Sequence, residues 1–112
     1  MPVFAFLYRP TRTLTSAELA ERAQRVREWS LARREAGQVL MVSVFDDDAS
    51  LLKHDGESGT PHESALAGCT LVSAEGMAAA MLLAQSFPGR VYGTDVEIRP
   101  VRTFVPAAAQ PA

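Results

Sequence analysis

The stretch Val3-Phe4-Ala5-Phe6-Leu7-Tyr8 decides how this chain must fold. Side chains alternate across a β-strand, so Val3, Ala5 and Leu7 point one way and Phe4, Phe6 and Tyr8 the other. Both sets are apolar, and such a strand needs cover on both faces. A chain of 112 residues has few elements to supply it. One cover is therefore expected from the chain's own helices and the other from a second copy of the chain.

Working outward, the strand ends near Arg9-Pro10, and Thr15-Ser16-Ala17-Glu18 has the form of a capping box. A helix is expected from about Ser16 to Ala36, with Leu19, Ala23 and Val26 on its apolar face and Trp29 at the flank. Glu18–Arg22 and Glu21–Arg25 have the favourable i,i+4 order for ion pairs. Gly37 supplies a stop. Gln38 to Phe45 predicts a second two-faced strand, in which Leu40, Val42 and Val44 oppose Val39, Met41 and Phe45. A short strand is expected from Ser50 to His54, and Asp55 to Pro61 reads as loop.

Cys69 to Val72 predicts the next strand. Ser73 is placed to cap a second helix from about Ala74 to Ser86, with Met77, Ala80, Met81 and Ala84 on its core face and Leu83 beside it. Pro88-Gly89 ends that helix. Val91 to Val101 predicts a half-exposed final strand, with Tyr92, Val96 and Ile98 opposite Asp95, Glu97 and Arg99. The expected order is β-α-β-(β)-β-α-β. This is the ferredoxin-like split βαβ arrangement of the α+β class: an antiparallel sheet with two helices on one face. The opposite face would be an apolar patch of the kind that marks an interface. A sheet-to-sheet contact of roughly 800 Å² per partner, at about 25 cal/mol per Å², is large enough to matter, so a homodimer through the sheet face is expected.

Composition sets further bounds. With 47% hydrophobic and 21% charged residues and a net charge of −2, the chain reads as one globular domain over residues 1–104, followed by an Ala/Pro tail at 105–112 expected to be disordered. The weak charge argues against a nucleic-acid partner. No apolar run reaches the roughly 18–20 residues that span a bilayer, and Met1-Pro2 leads into a strand rather than a signal peptide. A cytoplasmic location without membrane contact is the default expectation. The single cysteine, Cys69, excludes an intramolecular disulfide and a cysteine metal cluster.

The order of several short motifs resembles the YCII-related (DGPF-type) family. Phe4-Ala5-Phe6-Leu7-Tyr8-Arg9 is similar to its first strand, and Ala36-Gly37-Gln38-Val39-Leu40 to its passage from helix to second strand. Glu63-Ser64-Ala65-Leu66-Ala67-Gly68 resembles the run before its central strand. Ser73-Ala74-Glu75 and Phe87-Pro88-Gly89 bracket a helix like its second one. Val96-Glu97-Ile98-Arg99-Pro100-Val101 is similar to its closing strand. The resemblance spans roughly residues 3 to 101 and implies a dimeric α+β barrel of ferredoxin-like protomers. It implies little about reaction, and no cofactor is expected. One branch of the family is proposed to use a His/Asp pair with the His on the first helix. Here residues 16–36 contain neither type, and Gly59-Thr60-Pro61-His62 stands near the place of the signature Asp-Gly-Pro-Phe.

Few residues suggest chemistry. His54 and His62 flank the Asp55–Pro61 loop, close to Asp55 and Glu63. A histidine beside a carboxylate can act as a general base, although an eight-residue separation fits no standard metal motif and solvated loop histidines are the simpler reading. Asp46-Asp47-Asp48 lacks the spaced ligands of a calcium loop and reads as a polar turn ending a strand. Arg22, Arg25, Arg27, Arg33 and Arg34 stud the first helix. Interleaved Glu18, Glu21, Glu28 and Glu35 favour a solvated, ion-paired face over an anion-binding surface. Cys69 lacks an identifiable base and reads as a small buried apolar residue.

Tyr8 and Arg9 end the first strand, where a guanidinium can hold a carboxylate or phosphate in a bidentate fork. Against this stands a strand-end charge reaching water. The expected ligand-binding set is Tyr8, Arg9, His54, His62 and Glu63, around a cleft between sheet and helices. The expected function is small-molecule binding, with cofactor-independent enzymatic activity left open. The alternative is a non-catalytic dimeric accessory or interaction protein.

Overall fold

In the computed structural model, residues 1–59, 66–106 and 108 are described. The order is β1 (Val3–Pro10), α1 (Ser16–Glu35), β2 (Val39–Val44), β3 (Leu51–Leu52), β4 (Ser58–Gly59), β5 (Gly68–Ser73), α2 (Met77–Gln85) and β6 (Thr94–Pro100), with a 3-10 turn at Pro88–Tyr92 before the last strand. The main sheet has the order β2-β5-β1-β6, and every pairing in it is antiparallel. This is the ferredoxin-like α+β fold. Both helices share one buried cluster with Phe4, Phe6 and Tyr8.

The two-faced strand is thereby resolved. Phe4, Phe6 and Tyr8 face the helices, and Phe6 is 0% exposed. Val3, Ala5 and Leu7 are half-buried on the open face. There they sit in register with Ser73, Leu71 and Cys69 of β5. On the other side of β1, Ala5 and Leu7 pair with Arg99 and Glu97 of β6. Truncating a core phenylalanine such as Phe6 to alanine would cost about 3–5 kcal/mol.

Local chemistry explains the ends of α1. The Glu18 amide donates to the Thr15 hydroxyl at 3.2 Å, and the Thr15 amide donates back to Glu18 at 3.0 Å. The capping box is complete. At the other end Gly37 adopts φ +77°, and the Gln38 amide reaches the Arg33 carbonyl at 2.9 Å. This is a Schellman closure, which a Cβ at Gly37 would strain.

Four details differ from the sequence expectations. First, Trp29 is the buried anchor of α1 rather than its flank, while Leu19 and Ala23 are exposed. The indole joins the buried cluster, with half-buried Val26 packed against it, and its N–H donates to the Ser86 hydroxyl at 2.9 Å. Second, the β2–β5 register shifts between Val39 and Met41. This irregularity breaks the simple alternation: Val39 and Val42 pair with helix-facing Val72 and Thr70, and Met41 with open-face Leu71.

Third, α2 starts at Met77, with Gly76 as an N-cap that has no side-chain hydrogen bond. Ser73 belongs to β5, where its amide bonds the Gln38 carbonyl at 2.8 Å. Ala80, Leu83 and Ala84 are buried, whereas Met77 and Met81 are exposed. Fourth, Tyr92 lies in the 3-10 turn, and β3 forms a small hairpin with β4, an unforeseen strand inside the expected loop.

Candidate ligand-binding cleft

A cleft of about 490 Å³ separates α1 from the β2 side of the sheet. It lies within the usual range for small-molecule sites. Ala23, Val26 and Ser30 line the helix wall, and Val42, Val44 and Gly68 the sheet wall. These positions carry small or β-branched side chains, which leave space between the two walls. At Gly68 the backbones of β5 and β2 approach closely: a Cβ there would come within 2.5 Å of the Ser43 carbonyl oxygen.

Tyr8, Thr70 and Phe87 also line the cleft. The Tyr8 hydroxyl donates to the Thr70 hydroxyl oxygen at 2.7 Å. Phe87 stacks on Tyr8 with ring centroids 4.2 Å apart, and Trp29 meets Phe87 edge-on at 5.4 Å. Burial pushes the Tyr8 phenol well above its ordinary range, outweighing the hydrogen bond with Thr70. At neutral pH Tyr8 is therefore a protonated donor committed to Thr70.

The charged groups of the cleft are Arg22, Arg27 and Arg34 of α1. Its described lining includes no His, Cys, Asp, Glu or Lys. The expected ion-paired helix face forms only outside the cleft. Arg25 pairs with Glu21 at 2.8 Å, and Arg33 donates to Gln38 at 3.3 Å. The expected Glu18–Arg22 pair gives way to Arg12–Glu18 at 3.1 Å, because Glu18 is turned back into the cap. Among the described residues, Arg22, Arg27 and Arg34 make no ion pair or hydrogen bond.

A neighbouring hollow of about 760 Å³ shares Arg22, Val44 and Ala67 with the cleft and is bordered by Asp46, Asp47 and Asp48. The aspartates follow the end of β2. Among the described residues, no group of three or more His, Cys, Asp and Glu side chains could hold a metal ion.

The described members of the expected site set, Tyr8, Arg9 and His54, do not line one cleft. Tyr8 lines the cleft. Arg9 lies on the opposite face of the sheet, half-buried, with its guanidinium 3.4 Å from Glu97. Glu97 also meets Arg99 at 2.6 Å. The hydrogen bond from Arg99, supported by Arg9, holds the Glu97 carboxyl below its ordinary range. His54 is exposed in the turn between β3 and β4. His62 and Glu63 lie outside the described residues, as does most of the 105–112 tail. Cys69 is half-buried on the open sheet face rather than in the core, and burial pushes its thiol up.

From the sequence all five α1 arginines read together as a solvated, ion-paired face, although a signal set two of the cleft arginines apart. Arg27 and Arg34 have no carboxylate three or four positions away on either side, so the helix offers them no local ion-pair partner.

No protein-family model matches this sequence, and no curated protein matches it. No helix among the described residues is long and apolar enough to cross a membrane.

Proposed function

We propose that this chain is a YCII-related protein that binds a small molecule in the cleft between α1 and the sheet, and that it does so as a homodimer joined through the open sheet faces. The observation that carries the binding reading is the cleft itself: apolar walls over a buried Tyr8–Thr70 hydrogen bond and a stacked aromatic floor. A few fixed polar groups in a mostly apolar concavity are the usual make-up of a small-molecule site. The described lining offers hydroxyl and guanidinium donors with no His, Cys, Asp, Glu or Lys beside them to activate a hydroxyl, and binding is the reading adopted.

The second part rests on the open face. Val3, Ala5 and Leu7 of β1 lie beside Leu71 and Cys69 of β5, with Met41 of β2 next in register. Arg9, Glu97 and Arg99 edge this apolar field. An apolar centre with a charged rim is the anatomy of a protein interface. The same face also supports the alternative of an accessory or interaction protein, with a second copy of the chain as its partner.

Binding of the neutral fluorophore N-phenyl-1-naphthylamine tests the cleft. The wild-type protein is expected to bind it saturably, at one site per protomer. Ala23→Trp, which fills the cleft from an exposed helix position, is expected to abolish that binding while the circular dichroism spectrum stays unchanged. Equal binding by the folded variant, or none by the wild type, refutes the cleft as a ligand site.

A further inference from the structure

The five arginines of α1 divide by location. Arg25 and Arg33, outside the cleft, have partners in Glu21 and Gln38. Arg22, Arg27 and Arg34, which line the cleft, have none among the described residues. An unpartnered guanidinium beside apolar walls is a donor fork awaiting an oxyanion.

Arg27 and Arg34 stand at i and i+7, about 10 Å apart along the helix. Both therefore follow one edge of the helix wall. Arg22 also borders the hollow flanked by Asp46, Asp47 and Asp48, whose negative charge offsets its own. The Arg27–Arg34 side is thus the electropositive side of the cleft.

We infer that the ligand of the cleft is an amphipathic oxyanion: a molecule with an aromatic or alkyl body and one carboxylate-like head group. The body lies between Val26 and Val42, and the head meets the guanidinium groups of Arg27 and Arg34. This inference rests on the cleft being the ligand site and adds the class of ligand to it. The apolar body is required because most of the lining is hydrocarbon. The negative head complements the exposed guanidinium groups of Arg27 and Arg34 along the cleft wall.

Two fluorophores with nearly the same body separate the charge from the cavity. N-phenyl-1-naphthylamine is neutral, and 8-anilinonaphthalene-1-sulfonate carries an oxyanion. The full chain is expected to bind the sulfonate about tenfold more tightly than the neutral probe, the scale of one charge-assisted contact. The Arg27→Gln/Arg34→Gln double variant is expected to remove that preference and leave the neutral probe unaffected. Arg25→Gln/Arg33→Gln is expected to change neither. Octanoate is expected to displace the sulfonate probe, and inorganic phosphate at the same concentration is not.

If the neutral probe binds and the sulfonate binds no better, the inferred class is wrong while the cleft remains a site. Phosphate displacing as well as octanoate would remove the role of the apolar body and overturn the inference. Sulfonate binding that survives Ala23→Trp places the anion outside the cleft and also overturns it.

Discussion

Tyr8 and Thr70 show how one residue pair joins stability to the proposed site. Tyr8 is 7% exposed and Thr70 1%, so the hydrogen bond between their hydroxyls, at 2.7 Å, has no water to replace it. Removing one partner leaves the other buried and under-satisfied, at a cost of about 1–3 kcal/mol. Tyr8→Phe and Thr70→Val are each expected to destabilise by that amount. The double variant is expected to cost less than the sum, because neither hydroxyl is then stranded. Urea unfolding of the four proteins measures the cycle; strict additivity would mean the bond contributes nothing specific.

At the scale of elements, α1 carries both the fold and the cleft. Its capping box holds it in register, and the backbone hydrogen bond at Thr15, followed by the pairing with Arg12, keeps the Glu18 carboxyl below its ordinary 4.5. A lowered folded value means that the ionised form stabilises the native state. That contribution is complete above the unfolded value and is lost as pH falls through the folded one. Glu18→Gln is therefore expected to melt earlier than wild type at pH 7, with the difference vanishing in strong acid. Thermal melts across pH check this, and a difference that grows on acidification would contradict it. The same turning back of Glu18 explains why Arg22 faces the cleft without its local partner.

Among the described residues, the molecule has one sheet face covered by helices and one not. The helices bury Phe4, Phe6 and Tyr8, and no described helix packs over half-buried Leu7 and Leu71 or exposed Met41. A positive charge at the centre of that field should be incompatible with a second sheet packed against it, since a buried unpaired charge is among the costliest groups in an interface. Leu71→Arg is expected to convert a dimer to a monomer in sedimentation velocity while leaving the helix content unchanged. A wild-type protein that sediments as a monomer at micromolar concentration would refute the dimer outright. Cleft binding by the monomeric variant would then show that the site is complete within one protomer.

Local patterning determined much of this fold. An unbroken apolar run marked β1 and alternation marked β6, Thr15 to Glu18 marked the start of α1, and Gly37 marked its end, because each feature depends on residues within a few positions of one another. The sequence also showed that Val3 to Tyr8 requires two covers. It did not show which set meets the helices; that depends on the hand of the chain's path across the sheet. Nor could it foresee the β2 register shift, set by pairing with β5 some thirty residues away, or the role of Trp29 as the anchor of α1. The candidate site was the least legible feature. The strand-end position makes Arg9 an expected ligand residue, but side-chain alternation puts it on the face opposite the cleft. Arg22, Arg27 and Arg34 looked like solvated helix charges until the tertiary structure placed them along an unfilled space. Most elements and the demand for two apolar covers are written in neighbouring residues of the chain. Where a cavity remains and which charges face it emerge with the packed fold, because a cavity is defined by the distance between elements, and that distance is set by packing contacts far apart in the chain.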